Sequence, residues 1–585
     1  MSEEKKLTKD IIEEALAGKQ RTPLYSSEAL SKMKQEFDEW KTEKVSAKDQ
    51  ENWNVIPQTV LGSDLPRGLL YTPLNVPDFD YAEDIGNSGQ EPFVRGIHSN
   101  MYRGRTFTQR QLVGFGKPED TNARIKFLLE AGATGVALLF DMPTIQMYDS
   151  DDPMSRGQVG SCGVCIDQAK DWERLFDGID IAKETVSVVT HLPSNCAILF
   201  PMYLVLAERR NIPWDQLKGS VQNDVTMESL VRNAEVYLPP KDTFRIECDN
   251  IEFIRTNVPK WNFITLNGYN LREFGTSGVT EMAVAFSHAM AILDEMIKRG
   301  HDVDWVAERI SYFWSPAMDF FEEISRMRAA RRLWYRIMKY KYKAKNPRSW
   351  LMRCHVQTSG ISLVREEPLN NIVRSAYEAL AAVLGGSQSL HVDSYDEAFA
   401  IPSEEASLLS LRTQQIIEHE TGVTSVVDPL GGSFYIESLT NEIEKLIYDE
   451  ITEIEKQGGY IEAVTNGYLL NKIFKYFYSE QKKIEDGDIK IVAHNWQKST
   501  RGEDFEAFQY PEDAERVQLE RLKEHRAERD TAKVEKALKD LLQACKTENC
   551  NIVPFTLECA RVGVTVGEQW KVFKAAFGVW DRPSV

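Results

Sequence analysis

At 585 residues the chain is too long for one compact core, and its 42% hydrophobic content is that of an ordinary globular protein. It carries 70 basic and 89 acidic residues, a net charge of −19, with no domain-wide basic patch, which argues against a nucleic-acid partner. No apolar stretch is long enough to span a bilayer, and the chain opens Met-Ser-Glu-Glu-Lys-Lys and not with a signal peptide, so no membrane and a cytoplasmic location are expected.

Residues 1–60 read as a charged, helical N-terminal arm with Leu30, Trp40 and Trp53 as apolar anchors, suited to contact a partner subunit. Residues 61–100 are rich in Pro, Gly, Asn and Asp and read as an extended connection. The segment 101–115 follows, Met101-Tyr102-Arg103-Gly104-Arg105-Thr106-Phe107-Thr108-Gln109-Arg110-Gln111-Leu112-Val113-Gly114-Phe115. It reads as a loop: guanidinium groups fork phosphate oxygens, and Gly104 permits close backbone approach to a long polyanionic ligand.

A strand-and-helix rhythm then runs to about residue 440. Strand-like runs lie near 133–141, 186–192, 217–224, 263–269, 309–316, 350–360, 387–393 and 423–428. Eight such units predict an α/β fold, a (β/α)8 TIM barrel over 61–440. Thr190, His191, Ser220, Gln222, Asn267, Ser311, His355, Gln357, Ser387, Gln388, Ser389 and His391 fall where inward side chains belong. Each buried polar group left unpaired costs about 1–3 kcal/mol, so this many predict a polar ligand along the barrel axis. Residues 441–585 read as a C-terminal helical region. Eight scattered cysteines exclude a disulfide framework, and Cys162-Gly-Val-Cys165 reads as two small buried residues outside any redox context.

These segments resemble the large, substrate-binding subunit of the adenosylcobalamin-dependent acyl-CoA mutases, the methylmalonyl-CoA mutase family. The resemblance rests on Met101-Tyr102-Arg103-Gly104-Arg105, Gln109-Arg110-Gln111, Phe140-Asp141-Met142-Pro143-Thr144, Tyr148-Asp149-Ser150-Asp151 and Gln222-Asn223-Asp224. It continues through Arg328-Ala329-Ala330-Arg331, Gln357-Thr358-Ser359-Gly360, Gln388-Ser389-Leu390-His391 and Asp428-Pro429-Leu430-Gly431-Gly432-Ser433.

The resemblance implies a coenzyme A tail threading the barrel and a radical carbon-skeleton rearrangement of a branched acyl-CoA, with the hard chemistry belonging to the cofactor. By position, Met101, Arg105, Thr108 and Arg110 would hold the nucleotide and pantetheine. Ser220, Gln222, Arg309, Ser311, Phe313 and His355 would line the tunnel. Tyr269, Asn270 and Gln222 would serve the reaction, with Gln388 beside the substrate. Gln357, Asp393, Glu397, Leu139, Met142 and Glu273 would face the cofactor. None of the nine histidines has the Asp-x-His-x-x-Gly setting of a cobalt ligand. A separate small cobalamin-binding subunit is therefore implied, in a heterodimer or heterotetramer, with no metal ligand on this chain.

Four positions bear on the substrate. Leu112 stands where methylmalonyl-CoA mutases carry tyrosine. Arg232 matches the arginine that pairs with a free acyl carboxylate. Leu139 replaces a smaller alanine, and Asn270 replaces the histidine that bonds the thioester carbonyl. Asp393 further replaces an asparagine, and His191 a hydroxyl residue. Together they imply a carboxylated, alkyl-bulky substrate. The alternatives are an isobutyryl- or 2-hydroxyisobutyryl-CoA mutase and a non-catalytic scaffold subunit.

Overall fold

A computed structural model describes residues 6–232, 236–501 and 505–584. At its centre parallel strands close into a barrel. They are β1 (Thr108–Val113), β2 (Gly135–Leu139), β3 (Val186–Val189), β4 (Gly219–Val221), β5 (Trp261–Asn262 and Thr265–Asn267), β6 (Ser311–Trp314), β7 (Arg353–Gln357) and β8 (Ser389–His391). Strand β8 pairs with β1 in register Ser389↔Thr108. The fifth strand is broken: its first piece pairs with β4 and its second with β6. Phe263 and Ile264 bridge the break, and the Ser311 hydroxyl donates to the freed Ile264 carbonyl at 2.8 Å. The ring is thus a (β/α)8 barrel with one interrupted stave.

Eight helices cover the strands: α1 (Pro118–Glu130), α2 (Ala169–Leu175), α3 (Pro193–Arg209), α4 (Pro240–Asn257), α5 (Gly278–Lys298), α6 (Phe320–Arg336), α7 (Asn370–Leu384) and α8 (Glu404–His419). Gly219 is required where β4 meets its neighbours, since a Cβ there would stand 1.9 Å from the Val186 carbonyl oxygen.

Two expectations are corrected. Residues 108–113 form β1 and not a loop. Residues 423–428 form no strand: a 3-10 turn, Val423–Ser425, follows Gly422 at φ 74, and Val426 stands exposed. The missed strand reads Thr-Gln-Arg-Gln-Leu-Val, with Gln109 and Gln111 buried against the helices and Thr108, Arg110 and Leu112 turned to the axis. Polar residues on both faces leave no hydrophobic alternation to detect.

Helix α6 ties the shell together through buried arginines. Arg328 pairs with Asp428 and Glu437, Arg332 and Arg336 pair with Glu444, and Arg331 donates to the Phe93 and Val94 carbonyls. Buried guanidinium groups are tolerable only with such partners. The helix Phe434–Lys456 packs on α5 and α6, and Val553–Val562 packs on α3. One large hydrophobic cluster extends from Ile12 to Phe573, and a second, small one gathers Val76, Phe79, Ile85 and Val94. Among the described residues no helix is long and apolar enough to cross a membrane.

Candidate active site

Strand alternation puts every second residue on the barrel axis. There the interior is open: a cavity of about 490 Å³ runs from the N-terminal to the C-terminal ends of the strands. One cavity is lined by Thr108, Arg110 and Leu112 of β1, Ala137 and Leu139 of β2, Ser187 and Val189 of β3, and Ser220 of β4 with Gln222 beyond its end. Thr265 of β5, Ser311 and Phe313 of β6, Arg353, His355 and Gln357 of β7 and Ser389 of β8 complete the wall. Barrels of this type fill that space with packed apolar layers. Here small hydroxyls pair sideways, Ser220 to Ser187 at 3.1 Å and Thr265 to Ser311 at 3.2 Å.

At the N-terminal end, Ile97, His98, Met101, Tyr102, Arg105 and Gln388 form the mouth. Arg110 lies above them, its Nε donating to Ser389 Oγ at 3.1 Å and its Nη1 to the Val136 carbonyl at 3.1 Å. Ser389 also meets His355 Nδ1 at 2.9 Å. Burial lowers Arg110 to about 10 and, with the Arg110 charge, holds His355 well below the usual imidazole range. This end therefore combines a buried cation with neutral hydrogen-bonding groups, a match for an anionic and amide-bearing tail.

At the C-terminal end, Tyr269 stacks on Phe313 with ring centroids 4.9 Å apart. Gln357 Nε2 donates to the Tyr269 hydroxyl and to Asp393 Oδ1, each at 2.8 Å, while Gln357 Oε1 is buried without a partner. His391 Nε2 lies 3.2 Å from Asp393. Burial lifts the Asp393 carboxyl to about 7, and burial together with the Asp393 charge lifts Glu397 and Glu273 each to about 8. Carboxyls crowded this closely cannot all ionise, so the mouth retains protons at neutral pH and offers donors as well as acceptors. Asn270 and Gln222 face the cavity beside this cluster and share one buried neighbour, Asn267.

Most residues singled out in the sequence reach this cavity. Met101, Arg105, Thr108, Arg110, Leu112, Leu139, Ser220, Gln222, Tyr269, Asn270, Ser311, Phe313, His355, Gln357, Gln388 and Glu397 all line it. Arg232, Arg309, Met142, Asp393 and Glu273 do not. Asp393 and Glu273 sit one layer behind, Glu273 accepting from Ser359 Oγ at 2.9 Å.

Arg232 follows a π-helical turn, Met227–Val231, with its Nη2 on the Val236 carbonyl at 3.1 Å. It is only 8% exposed, and its Nε and Nη1 have no partner among the described residues. Burial lowers its pKa, and the nearby Glu228 carboxylate opposes that shift.

Several details differ from expectation. Gln388 lies at the N-terminal mouth, accepting from Cys354 N at 2.8 Å, and so at the opposite end from Gln357. Thr190, Asn267 and His391 are buried behind the wall. Gly104 makes room for this chain's own Asn100, whose carboxamide would stand 2.4 Å from a Cβ there. Cys165 is buried, but Cys162 is exposed against the Tyr510 hydroxyl at 3.2 Å. His191 lines the cavity at φ 60, and burial lowers it to about 4, leaving it neutral.

Sequence reasoning passed over Arg353, Asn262, Ala137 and Val189, which also line the cavity. Extending the period-two register of β2, β3 and β7 by one step reaches three of the four; Asn262 sits on the broken strand.

Comparison with known proteins matches this picture. The profile of a family described as methylmalonyl-CoA mutase matches residues 62–579. The 2-hydroxyisobutanoyl-CoA mutase large subunit of Aquincola tertiaricarbonis is 40% identical over 523 residues, 89% of this chain and 92% of that one. The methylmalonyl-CoA mutase of Rhizobium meliloti is 37% identical over 547 residues, covering 91% of this chain and 76% of its own length. The mitochondrial methylmalonyl-CoA mutase of Homo sapiens is 36% identical over 518 residues, covering 88% and 68% respectively.

Proposed function

This chain belongs to the methylmalonyl-CoA mutase family, and from that premise we propose how its residues divide the work of an acyl-CoA carbon-skeleton isomerase. The observation that carries the reading is the continuous cavity along the barrel axis, whose wall carries hydroxyl, amide, imidazole and guanidinium groups from one strand end to the other. A coenzyme A chain fits such a channel: Met101, Arg105, Thr108 and Arg110 hold its nucleotide and pantetheine end, and Ser220, Ser311, Phe313 and His355 line its path. The acyl group then lies between Leu112, Leu139, Gln222 and Asn270, where amide hydrogens meet the thioester oxygen.

Adenosylcobalamin is the cofactor of this family, and the C-terminal mouth suits its adenosyl group. The orphaned Gln357 Oε1, the Glu397 carboxyl on the cavity wall and the half-exposed Met142 offer acceptors and an apolar face. Asp393 and Glu273 support them from behind. When bound, the cofactor supplies reversible hydrogen abstraction by a carbon radical. The chain's own part is to bind, orient and exclude water from the reacting acyl group. We assign the cobalt ligand to a separate small subunit, as the large-subunit name of the Aquincola relative suggests.

The substrate we favour is a carboxylated, branched acyl-CoA, supported by the buried Arg232 guanidinium, whose Nε and Nη1 have no partner among the described residues. A second reading, an isobutyryl- or 2-hydroxyisobutyryl-CoA substrate, is favoured by the position of Arg232 outside the cavity wall and by the Aquincola relative's name. The test is turnover with a cognate small subunit and adenosylcobalamin, on methylmalonyl-, 2-alkylsuccinyl-, isobutyryl- and 2-hydroxyisobutyryl-CoA. Rearrangement of a carboxylated substrate is the expected result. Turnover of uncarboxylated substrates alone would select the second reading.

A further inference from the structure

Asn267 makes no contact with the cavity, yet its hydrogen bonds dictate what two cavity residues present. It is 1% exposed at the end of β5. Its own backbone N–H is held by Asp224 Oδ2 at 2.5 Å. Behind Asp224, His288 lies 2.9 Å from Glu247 and 3.5 Å from Asp224. Burial opposes a charge on His288, but those two carboxylates outweigh it and lift the imidazole to about 10. Asn267 therefore sits on a charge-compensated, fully buried support.

The donor–acceptor assignment then follows without ambiguity. The backbone N–H of Asn270 can only donate, and it points at the Asn267 side chain at 2.9 Å. The atom that receives it must be Oδ1. The other branch of Asn267 is then Nδ2, which can only donate. It lies 2.7 Å from the Asn270 side chain and 3.3 Å from the Gln222 side chain. Both of those facing atoms must accordingly be oxygens. The amide nitrogens of Asn270 and Gln222 are left as the branches turned away from Asn267, on side chains that line the cavity.

We propose that Asn267 is a positioning residue that locks Asn270 and Gln222 into a neutral two-donor fork for the carbonyl oxygen of the bound thioester. The inference deepens the acyl-CoA reading and rests on it. Two fixed donors aimed at one oxygen cost no reorientation when charge builds there. Without the lock each amide rotates freely between donor and acceptor, and the buried site loses its preference for a carbonyl.

The test compares isobutyryl-CoA with S-isobutyl-CoA, the matched thioether that lacks the carbonyl, by titration calorimetry on the full chain. The wild-type chain is expected to bind the thioester about tenfold more tightly than the thioether. Asn267→Asp replaces the donor branch by an acceptor, which draws the two amide nitrogens away from the cavity. That variant is expected to keep its thioether affinity and lose the thioester preference. Asn267→Ala frees the amides without adding charge and is expected to reduce the preference about threefold, which retains the test if the aspartate variant does not fold. A thioester preference unchanged in either folded variant overturns the positioning role. A wild-type chain that binds neither probe overturns the acyl-CoA reading and this proposal together.

Discussion

Gln357 and Asp393 are joined by a 2.8 Å hydrogen bond that ties the end of β7 to the segment after β8. The bond holds the Gln357 nitrogen on Asp393 and leaves its oxygen as a buried acceptor. Asp393 in turn faces the Tyr269 hydroxyl at 3.4 Å and His391 at 3.2 Å.

That arrangement gives a pH prediction. Burial raises the Asp393 carboxyl to about 7, far above its value in the unfolded chain. A group shifted upward binds its proton more tightly when folded. Its stabilising contribution is complete below about pH 4 and is lost as pH rises through about 7. Asp393→Asn removes that loss. The variant should melt about 1–3 °C above wild type at pH 8.5, show a smaller gain at pH 5 and none below about pH 4, measured by calorimetry. An equal shift at every pH would show that the effect is not titration of Asp393.

Arg232→Gln tests the carboxylate reading. The guanidinium is buried, its Nε and Nη1 have no partner among the described residues, and pairing them with an anion would relieve that cost. The substitution should weaken methylmalonyl-CoA binding about 10- to 100-fold and leave isobutyryl-CoA within about twofold. Equal losses for both ligands would make Arg232 a structural residue only.

Leu112 and Leu139 face the same length of cavity from adjacent strands, with Leu112 paired to Ala137. Leu112→Tyr adds volume and a hydroxyl there. It should raise the kcat/KM ratio of methylmalonyl-CoA over a 2-alkylsuccinyl-CoA about tenfold. A uniform fall for both substrates would count against Leu112 as a measure of pocket size.

The cobalt ligand is assigned to a partner subunit, so the isolated chain should bind adenosylcobalamin at best weakly. Equilibrium dialysis should show tight uptake only after the small subunit is added. Tight, stoichiometric uptake by this chain alone would contradict the assignment.

Much of this architecture was legible in the linear chain. Ser220, Gln222, Ser311, His355 and Gln357 recur at alternate positions of strand-like runs, and so many inward polar groups demand a hydrated or liganded axis. Strand β1 escaped detection because Gln109 and Gln111 are polar on its outer face too, so its period-two signal vanished. The run 423–428 looked like a strand by composition, yet the ring was already closed by β8 on β1.

Sequence pattern alone determined that the chain builds a barrel with a polar interior, because alternation reports which residues share a face. It did not report direction along the axis. Only the folded chain decided that Gln388 and Gln357 lie at opposite mouths, that Arg232 stands outside the cavity lining, and that Asn267 orients Asn270 and Gln222. Those facts depend on which donor meets which acceptor across separate strands. A hydrogen bond's sense is set by both partners, and the partners of Asn267 are Gln222 and Asp224 from the segment after β4 and Asn270 from the short helix Tyr269–Glu273 after β5. No local pattern encodes that meeting.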